Sequence, residues 1–368
     1  MKRLKSAIGH SLSVFHLLLL SFLILIPLGQ AAGEGIEHFT YIRHTPHGPV
    51  RANVLQIDLN DSGIYFKPVL ARGKIPGLER ISDMAARFGA VAGINGTYFD
   101  LSGNPLGMLM IDGWMISEPI LNRTVFGITD EKDVLWGNIK FNARLILKSL
   151  ELSLPIDGIN RRRASQKETI LYTPHYGERT RTKITPYKTS EITILQGHIF
   201  HLSQGNAYIP EEGYVVSIGA GQDFPGKKLR IWDEVELDVG LEDGWPEAVH
   251  ALSGGPRLVK NGQVYITSGR EMIRSDIRCF RAPRSAIGVT FDHKLLLVGV
   301  DGRQKKSVGM TLYELASFLV ELGAQNAMNL DGGGSTTLFY NNWVVNSPSD
   351  GAERPVSNGL FVFESDVK

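Results

Sequence analysis

The stretch RSAIGVTFDHKLLLVGVDGR, residues 284–303, decides the fold expected for this chain. Ala286 to Phe291 and Leu295 to Val300 are two short apolar runs, and the three polar residues between them are typical of a tight turn. We therefore expect an antiparallel hairpin whose second strand ends at Asp301.

Downstream of this hairpin the sequence predicts a helix from about Leu312 to Leu322. Thr311 and Glu314 form a capping box at its start, and Gly323 suits its C-terminal cap. A second helix is expected at about Leu78 to Phe88. These are the two clearest helices that the sequence indicates.

Each of these helices is followed by the same arrangement of residues. The spacing from Gly89 to Asn95 equals that from Gly323 to Asn329, and a polar loop and a hairpin follow each asparagine. We interpret this as an internal duplication, which predicts that the two asparagine loops lie at equivalent sheet edges and face one cleft. Chance similarity is the alternative, since a helix, a glycine and a buried strand often follow one another.

Most of the remaining chain reads as short strands separated by turns such as Asp112-Gly113, Asn261-Gly262 and Asn341-Asn342. We expect an α+β fold of mixed, mainly antiparallel sheets with a few helices packed on one side. Residues 32–368 form one domain in this interpretation. Within it, we interpret residues 138–208 as an inserted or peripheral segment, because their basic runs give them a different composition.

Residues 1–31 have the anatomy of a secretory signal peptide, in which basic residues precede an apolar stretch and small residues follow it. The apolar stretch is shorter than the ~20 residues that span a bilayer, and no later segment is apolar enough to do so. We therefore expect a secreted or periplasmic protein without a membrane span after cleavage. Cys279 is the single cysteine, so the hydrophobic core must stabilise the fold without an intrachain disulfide.

The charges are balanced, with 39 basic and 38 acidic residues, and the leader holds three of the basic ones. This balance argues against a nucleic-acid partner. An anionic ligand must then be met by a few local arginines.

The polar run Asp331-Gly332-Gly333-Gly334-Ser335-Thr336 follows an apolar strand. Consecutive glycines let backbone amides turn toward a phosphate or another oxyanion, although a simple flexible turn would use the same residues. The run is not a P-loop, because no Gly-Lys-Ser/Thr follows. The carboxylate of Asp331 could serve as a base, a nucleophile or a ligand of a calcium or magnesium ion. The sequence itself requires no cofactor.

The hairpin of residues 284–303 brings Arg284 and Arg303 toward one edge of a sheet. The forked guanidinium group of arginine fits phosphate or carboxylate in a bidentate way. A structural salt bridge between Arg284 and Asp301 would use the same residues. Asn95 and Tyr98 lie in another polar loop after an apolar strand.

Other catalytic schemes find little support in the sequence. The ten histidines include no His-Glu-x-x-His motif, and Ser335 lacks the Gly-x-Ser-x-Gly elbow of serine hydrolases.

Taken in order, six motifs resemble the signatures of the phosphodiester glycosidase family, which includes bacterial exopolysaccharide-associated members. They are Gly93 to Phe99, Ser253 to Pro256, Pro283 to Val289, Val300 to Gln304, Gly309 to Leu312, and Asn329 to Ser335. Thr97 departs from the pattern, since it replaces a glycine of the first motif.

The resemblance implies an exported glycosidase that hydrolyses a sugar C1–oxygen bond in a glycosyl phosphodiester or in an envelope glycan or exopolysaccharide. Asp301 and Asp331 would then be catalytic. The expected contacts to a carbohydrate or glycosyl-phosphate substrate come from Asn95, Tyr98, Arg284, Arg303, Gly332, Gly333, Gly334, Ser335 and Thr336. Hydrolysis of a glycan without phosphate, and a non-catalytic glycan-binding or polysaccharide-assembly role, are the alternatives.

Overall fold

The computed structural model describes residues 35–182, 189–220, 226–240, 245 and 247–365. The predicted signal peptide, residues 1–31, lies outside the described residues.

The described chain forms 25 strands. In chain order they are β1 (Ile36–Thr45), β2 (Gly48–Asp58), β3 (Ile64–Leu70), β4 (Ala92–Asn95), β5 (Leu109–Ile111), β6 (Trp114–Ser117), β7 (Thr124–Thr129), β8 (Val134–Asn138), β9 (Asn142–Leu147), β10 (Leu152–Ile156), β11 (Gly158–Ile159), β12 (Ile170–Tyr172), β13 (Ser190–Leu195), β14 (His198–Ser203), β15 (Gly213–Ile218), β16 (Val235–Gly240), β17 (Ala248–Ser253), β18 (Arg257–Lys260), β19 (Gln263–Val264), β20 (Arg284–Thr290), β21 (Lys294–Val300), β22 (Ala324–Asn329), β23 (Leu338–Tyr340), β24 (Trp343–Val344) and β25 (Asn358–Glu364). Its α-helices are α1 (Ile81–Phe88), α2 (Ser275–Cys279) and α3 (Leu312–Glu321).

The strands form five sheets. The largest has the order β1-β2-β21-β20-β22-β18-β19, and two further sheets have the orders β24-β23-β4-β25-β3 and β6-β5-β17-β7-β8. The remaining two are β11-β12-β15-β13-β14 and β10-β9-β16. Together the sheets form a ring that resembles a four-bladed propeller.

The α+β class predicted from the sequence is therefore wrong, because the fold is mostly β-sheet. The helices α1 and α3 were placed correctly, and α3 carries the predicted capping box between Thr311 and Glu314. Each of these two helices covers one sheet, whereas the rest of the described fold is built almost entirely from strands. A buried strand needs only a few residues to contribute to a core. The two helices, although their pattern is clear, therefore account for little of the chain.

The hairpin that decides the fold is confirmed as β20 and β21, in the middle of the largest sheet. Every residue of β20 is buried, as expected for a strand that is covered on both faces. Val54, Leu296 and Val298 pack with α3 on one side, and Leu55, Leu297 and Leu338 form part of a core on the other. The predicted hairpins at Asp112-Gly113, Asn261-Gly262 and Asn341-Asn342 are also present.

Residues 138–208 contribute strands to the two sheets β10-β9-β16 and β11-β12-β15-β13-β14. The side chain of Asn160 joins this region to the rest of the ring by donating to the backbone oxygen of Ile116, at 3.0 Å. Whether the region is a separate insertion stays a prediction.

Candidate functional site

The ends of β4 and β22 meet at one place in the ring, where Asn95 is fully buried. Its Nδ2 donates to the backbone oxygen of Asp331 at 2.6 Å, and its Oδ1 accepts from the Ser285 hydroxyl at 2.7 Å. Oδ1 also accepts from the amide of Thr337 at 3.1 Å. Asn95 therefore fixes the loop after β22, and its Oδ1 accepts two hydrogen bonds.

Asn329 makes the reciprocal connection to the loop after β4. Its Nδ2 donates to the Tyr98 hydroxyl at 2.9 Å, and that hydroxyl donates to the backbone oxygen of Gly255 at 2.9 Å. Burial raises the pKa of Tyr98 far above its usual range, so the phenol stays protonated and neutral. The Asn95 and Asn329 loops thus contact each other, whereas their origin by duplication stays a hypothesis.

Arg123, just before β7, contacts this site through Tyr98. Its guanidinium lies over the ring of Tyr98, 4.6 Å from the ring centre, and the residue is 8% exposed. Buried Glu271 fixes the neighbouring residue, because its carboxylate accepts from the backbone amide of Thr124 at 3.0 Å and from the Thr124 hydroxyl at 2.7 Å. The position of Arg123 is therefore set by the protein before any ligand arrives.

Gly255 completes this wall of the site at a position where only glycine fits. Its φ is +118°, and an added Cβ would lie 2.3 Å from an oxygen of Glu271. A side chain at this position would thus disturb the carboxylate that fixes Thr124 and, through it, Arg123.

Asp331 is the titratable group at the centre of the site. Burial raises its pKa to about 6, although the nearby Ser335 hydroxyl and the hydrogen bond from the amide of Gly332 oppose the shift. Its Oδ1 accepts from that amide at 3.0 Å, and the charges of Arg354 and Arg123 also lower the pKa. The carboxylate is therefore close to half ionised at a weakly acidic pH, which suits a group that exchanges protons.

Several buried polar atoms in this place have no hydrogen-bond partner among the described residues. They are Nε and Nη1 of Arg123, Oδ1 of Asn329, and the hydroxyl oxygens of Ser335 and Thr336. Ser335 nevertheless contributes to the pKa of Asp331, so its hydroxyl lies near the carboxylate. Leaving such groups unpaired costs about 1–3 kcal/mol each, so their concentration at one cleft indicates that a polar ligand or water completes them.

The glycine run has less free backbone than the sequence suggests. The amide of Gly333 donates to Pro283 at 2.9 Å, and the amides of Ser335 and Thr336 donate to Gly332 and Gly333. In the described part of the chain, Gly334 is the glycine of this run whose amide is not used in this way. A broad cradle of amides is therefore absent from these described residues, and the side chains of the site carry most of its donors.

Charged side chains lie over the glycine run on its outer side. The guanidinium of Arg303 comes within 3.3 Å of the Cβ position at Gly333. Arg354 donates to Asp350 at 2.6 and 2.9 Å, and this pair would collide with a Cβ at Gly334. Arg303 is exposed and has no hydrogen bond or ion pair with the other described residues. These arginines make the outer rim positive, and one of them, Arg354, is paired with Asp350.

Two residues predicted for the site have structural contacts. Arg284 donates to the backbone oxygens of Met310, Ile277 and Phe280 at 2.7 to 3.0 Å. Asp301 accepts from the amide of Ser347 at 2.7 Å, and Arg51 lies 3.9 Å from its carboxylate. The alternative salt bridge between Arg284 and Asp301 is not among the ion pairs of the described residues.

Asp301 and Asp331 end two strands that flank β20, so roughly 10 Å of sheet separates them. Burial raises the pKa of Asp301 as well, against the hydrogen bonds from Ser347 and Asn346. Neither aspartate is among the charges that shift the other. The structure thus brings Asn95, Tyr98, Ser335 and Asp331 together, and it turns the carboxylate of Asp301 toward a different loop.

Sequence reasoning missed Arg123, Arg354 and Glu271. Arg123 follows a polar loop and precedes a strand, a pattern shared by many surface arginines. Glu271 accepts hydrogen bonds from the hydroxyls of Thr267, four residues earlier, and of Thr124 on a distant segment, and the second contact leaves no pattern in the sequence. Thr97, where the sequence departs from the family pattern, accepts from Nδ2 of Asn358 at 2.7 Å and is buried.

Within the described residues, no group of three or more His, Cys, Asp or Glu side chains is placed to hold a metal ion. A calcium or magnesium ion at Asp331 would therefore have to rely on this carboxylate together with hydroxyl and backbone oxygens. The described residues also include no helix of the length and apolar character needed to cross a membrane.

The sequence profile of the phosphodiester glycosidase family matches residues 189–363. A prophage-derived protein of Bacillus subtilis is 40% identical over 129 residues, which are 35% of this chain and 19% of that protein. Bovine N-acetylglucosamine-1-phosphodiester alpha-N-acetylglucosaminidase is 35% identical over 111 residues, covering 28% of this chain and 21% of the bovine protein. The matches thus span about a fifth of the length of either relative.

Solved structures share the fold over most of the chain. A protein from Synechocystis has a TM-score of 0.78 at 23% identity, covering 90% of this chain and 62% of that one. A Burkholderia pseudomallei protein described as exported has a TM-score of 0.71 at 22% identity, covering 88% and 75%. Asn329 and Asp331 lie within the segment matched by the family profile, whereas Tyr98 and Arg123 precede it.

Proposed function

Since the chain belongs to the phosphodiester glycosidase family, we propose that it hydrolyses the bond between a sugar C1 and the phosphate oxygen of a glycosyl phosphodiester. One observation carries the proposal: a carboxylate with a pKa of about 6 lies among buried polar atoms that lack partners, beside a fixed arginine. A substrate with a phosphate and several hydroxyls supplies partners of both kinds.

In the proposed reaction, Asp331 acts as the general base. Its carboxylate takes a proton from water while the water oxygen forms a bond to C1. The C1–oxygen bond breaks, its electron pair stays on the phosphate oxygen, and a free sugar and a phosphomonoester leave. The departing phosphate is already a stable anion, so no strong general acid is needed on that side.

Arg123 and the outer arginines complete the electrostatics of this step. The two unpartnered nitrogens of Arg123 can donate to phosphate oxygens as negative charge develops on the leaving group. Arg303 and Arg354 make the rim positive, which favours the approach of a phosphodiester. The neutral hydroxyl of Tyr98 supports the floor of the site through Asn329 and Gly255.

The contacts of Asp301 favour a single displacement at C1. Retaining glycosidases with a carboxylate nucleophile place their two carboxyl groups about 5 Å apart, and the second group activates water in the second step. Asp301 follows a strand two positions from that of Asp331, roughly 10 Å across the sheet, and it is bonded to Ser347. We therefore propose inversion at C1.

Hydrolysis of a phosphate-free glycan is less compatible with this site. An ordinary glycoside leaves as an alkoxide and needs a protonated acid on the leaving side. The predicted second carboxylate, Asp301, has its own structural partner.

We also propose that the leader sequence directs export of the protein and that its substrate lies in the cell envelope or in exopolysaccharide.

The test is hydrolysis of synthetic glycosyl phosphodiesters across a sugar panel, with neutral aryl glycosides as the comparison. We expect kcat/KM for a phosphodiester to rise with pH through an apparent pKa near 6, because the ionised Asp331 is the active form. Proton NMR of the first product should show the inverted anomer. Faster hydrolysis of the neutral glycosides, or a rate that falls as pH rises through 6, would contradict the proposal.

A further inference from the structure

A second binding groove lies on the sheet β11-β12-β15-β13-β14, on strands that do not contribute to the Asp331 site. Its volume is about 630 Å³, within the range of small-molecule sites. The groove is lined by Leu195, Phe200, His201, Tyr208, Glu211 and Glu212, among others. We call it the Phe200 groove.

Phe200 is exposed because of a β-bulge. Thr193 pairs with His201 while the next residue, Ile194, pairs with Ile199, so Phe200 is the extra residue of β14. Its side chain is 51% exposed although its neighbour Ile199 is fully buried. Bulges often redirect a side chain at functional edges of sheets, and this one directs an aromatic ring into the groove.

Tyr208 also lines the groove, and its backbone is held firmly. Ala207 and Ile209 on either side are buried, and their amides donate to Glu191 at 2.7 Å and to the backbone oxygen of Glu178 at 2.8 Å. The ring of Tyr208 is nevertheless 53% exposed. A fixed backbone with an exposed ring offers binding area without an ordering cost on association.

We propose that the Phe200 groove binds pyranose units of a glycan that carries no acidic groups. Aromatic rings offer flat apolar area to the C–H face of a pyranose, while the polar edge of tyrosine remains free for hydroxyls. Glu211 and Glu212 accept hydrogen bonds from hydroxyl or ammonium groups and repel carboxylates and phosphates. The groove therefore favours neutral or amino sugars, in contrast to the positive rim at Asp331.

The same two carboxylates argue against a second copy of this chain as the occupant. A symmetric dimer on this surface would bring both pairs of glutamates together, and like charges across an interface cost several kcal/mol. The inference relies on the proposed function only in taking a glycan as the natural substrate. Binding at the groove itself can be measured without turnover.

In the experiment, full-length protein carrying Asp331→Asn is titrated with cellohexaose, chitosan hexamer and hexagalacturonic acid, and binding is measured by calorimetry. We expect the first two to bind and the acidic oligosaccharide not to bind. Phe200→Ala and Tyr208→Ala should each weaken binding about 5–10-fold, in line with the loss of one aromatic contact. Phe200→Leu should weaken binding as much as Phe200→Ala does, because leucine keeps apolar area but lacks the aromatic ring.

Trp343→Ala is the matched control, since Trp343 is an exposed aromatic on another sheet, 75% exposed. Its binding should equal that of the parent protein. The groove inference falls if neither hexamer binds, if binding survives the double variant Phe200→Ala/Tyr208→Ala, or if sedimentation shows a dimer that this double variant abolishes. Groove binding without turnover in the wild type would overturn the proposed function alone, and turnover without groove binding would overturn this inference alone.

Discussion

Asp301 and Asp331 look alike in the sequence and differ in the structure. Each follows a buried strand and precedes glycine, and the two strands lie on either side of β20. The carboxylate of Asp301 fixes Ser347, whereas that of Asp331 has the amide of its own neighbour and is surrounded by atoms without partners. The difference teaches that the environment after the strand, not the Asp-Gly pattern, separates a structural acid from the acid proposed to be catalytic.

Arg284 and Arg123 repeat this contrast. Arg284 donates to three backbone oxygens and joins α2 and the start of α3 to β20, whereas Arg123 keeps two nitrogens unused beside Tyr98. Buried donors that are fully used stabilise the fold, and buried donors that are unused indicate a ligand.

The largest expected effect comes from changing the two aspartates in the same way. Asp331→Asn should lower kcat on a glycosyl phosphodiester by about 10²–10⁴-fold, because the proposed general base is lost. Asp301→Asn keeps an oxygen that can accept from Ser347 and should stay within about tenfold of wild type. Steady-state kinetics with matched circular dichroism spectra would measure both, and equal losses in the two variants would end the distinction drawn between them.

The two arginines should separate activity from stability. Arg123→Leu should lower kcat/KM by about 10²-fold with the free energy of unfolding within about 1 kcal/mol of wild type, because an unsatisfied cation is removed. Arg284→Leu leaves three carbonyls without their donor and should lower the free energy of unfolding by about 2–4 kcal/mol. Urea denaturation of both variants measures this, and a strongly destabilised Arg123→Leu would show that its role is structural.

The smallest effect is the dependence of stability on pH. The folded protein raises the pKa of Asp331 from 3.8 to about 6, so the protonated form is favoured by folding. That contribution is present below pH 4 and is lost as the pH rises through 6. Asp331→Asn should therefore exceed wild type in unfolding free energy by roughly 1–3 kcal/mol at pH 7.5, with the difference disappearing near pH 4. If the difference in unfolding free energy stayed constant across this pH range, burial would not raise the pKa of Asp331.

Local signals in the sequence predicted the local structure well. The turn between Phe291 and Lys294, the capping box at Thr311 and the glycine after each helix act within a few residues, so β20, β21, α1 and α3 could be placed. The fold class could not, because it depends on which strands pair across large separations, such as β25 between β3 and β4.

The site was predictable to the same extent. Asp331, Asn95 and Tyr98 lie beside motifs with clear spacing, and the structure brings them together. Arg123 lies just before a strand of another sheet and Arg354 in a loop near the end of the described chain, so only the folded chain relates them to Asp331. Glu271 acts through backbone contacts to Thr124 that leave no pattern in the sequence.

The position of β25 sets an order on the assembly of this protein. β25 separates β3 from β4, and Asn358 at its start accepts from the amide of Thr97 in the loop that carries Tyr98. A growing polypeptide therefore lacks a finished pocket until residue 364 has left the ribosome, and pairings across such long separations form slowly. The Asp331 site is in this sense the last part of the molecule to be completed.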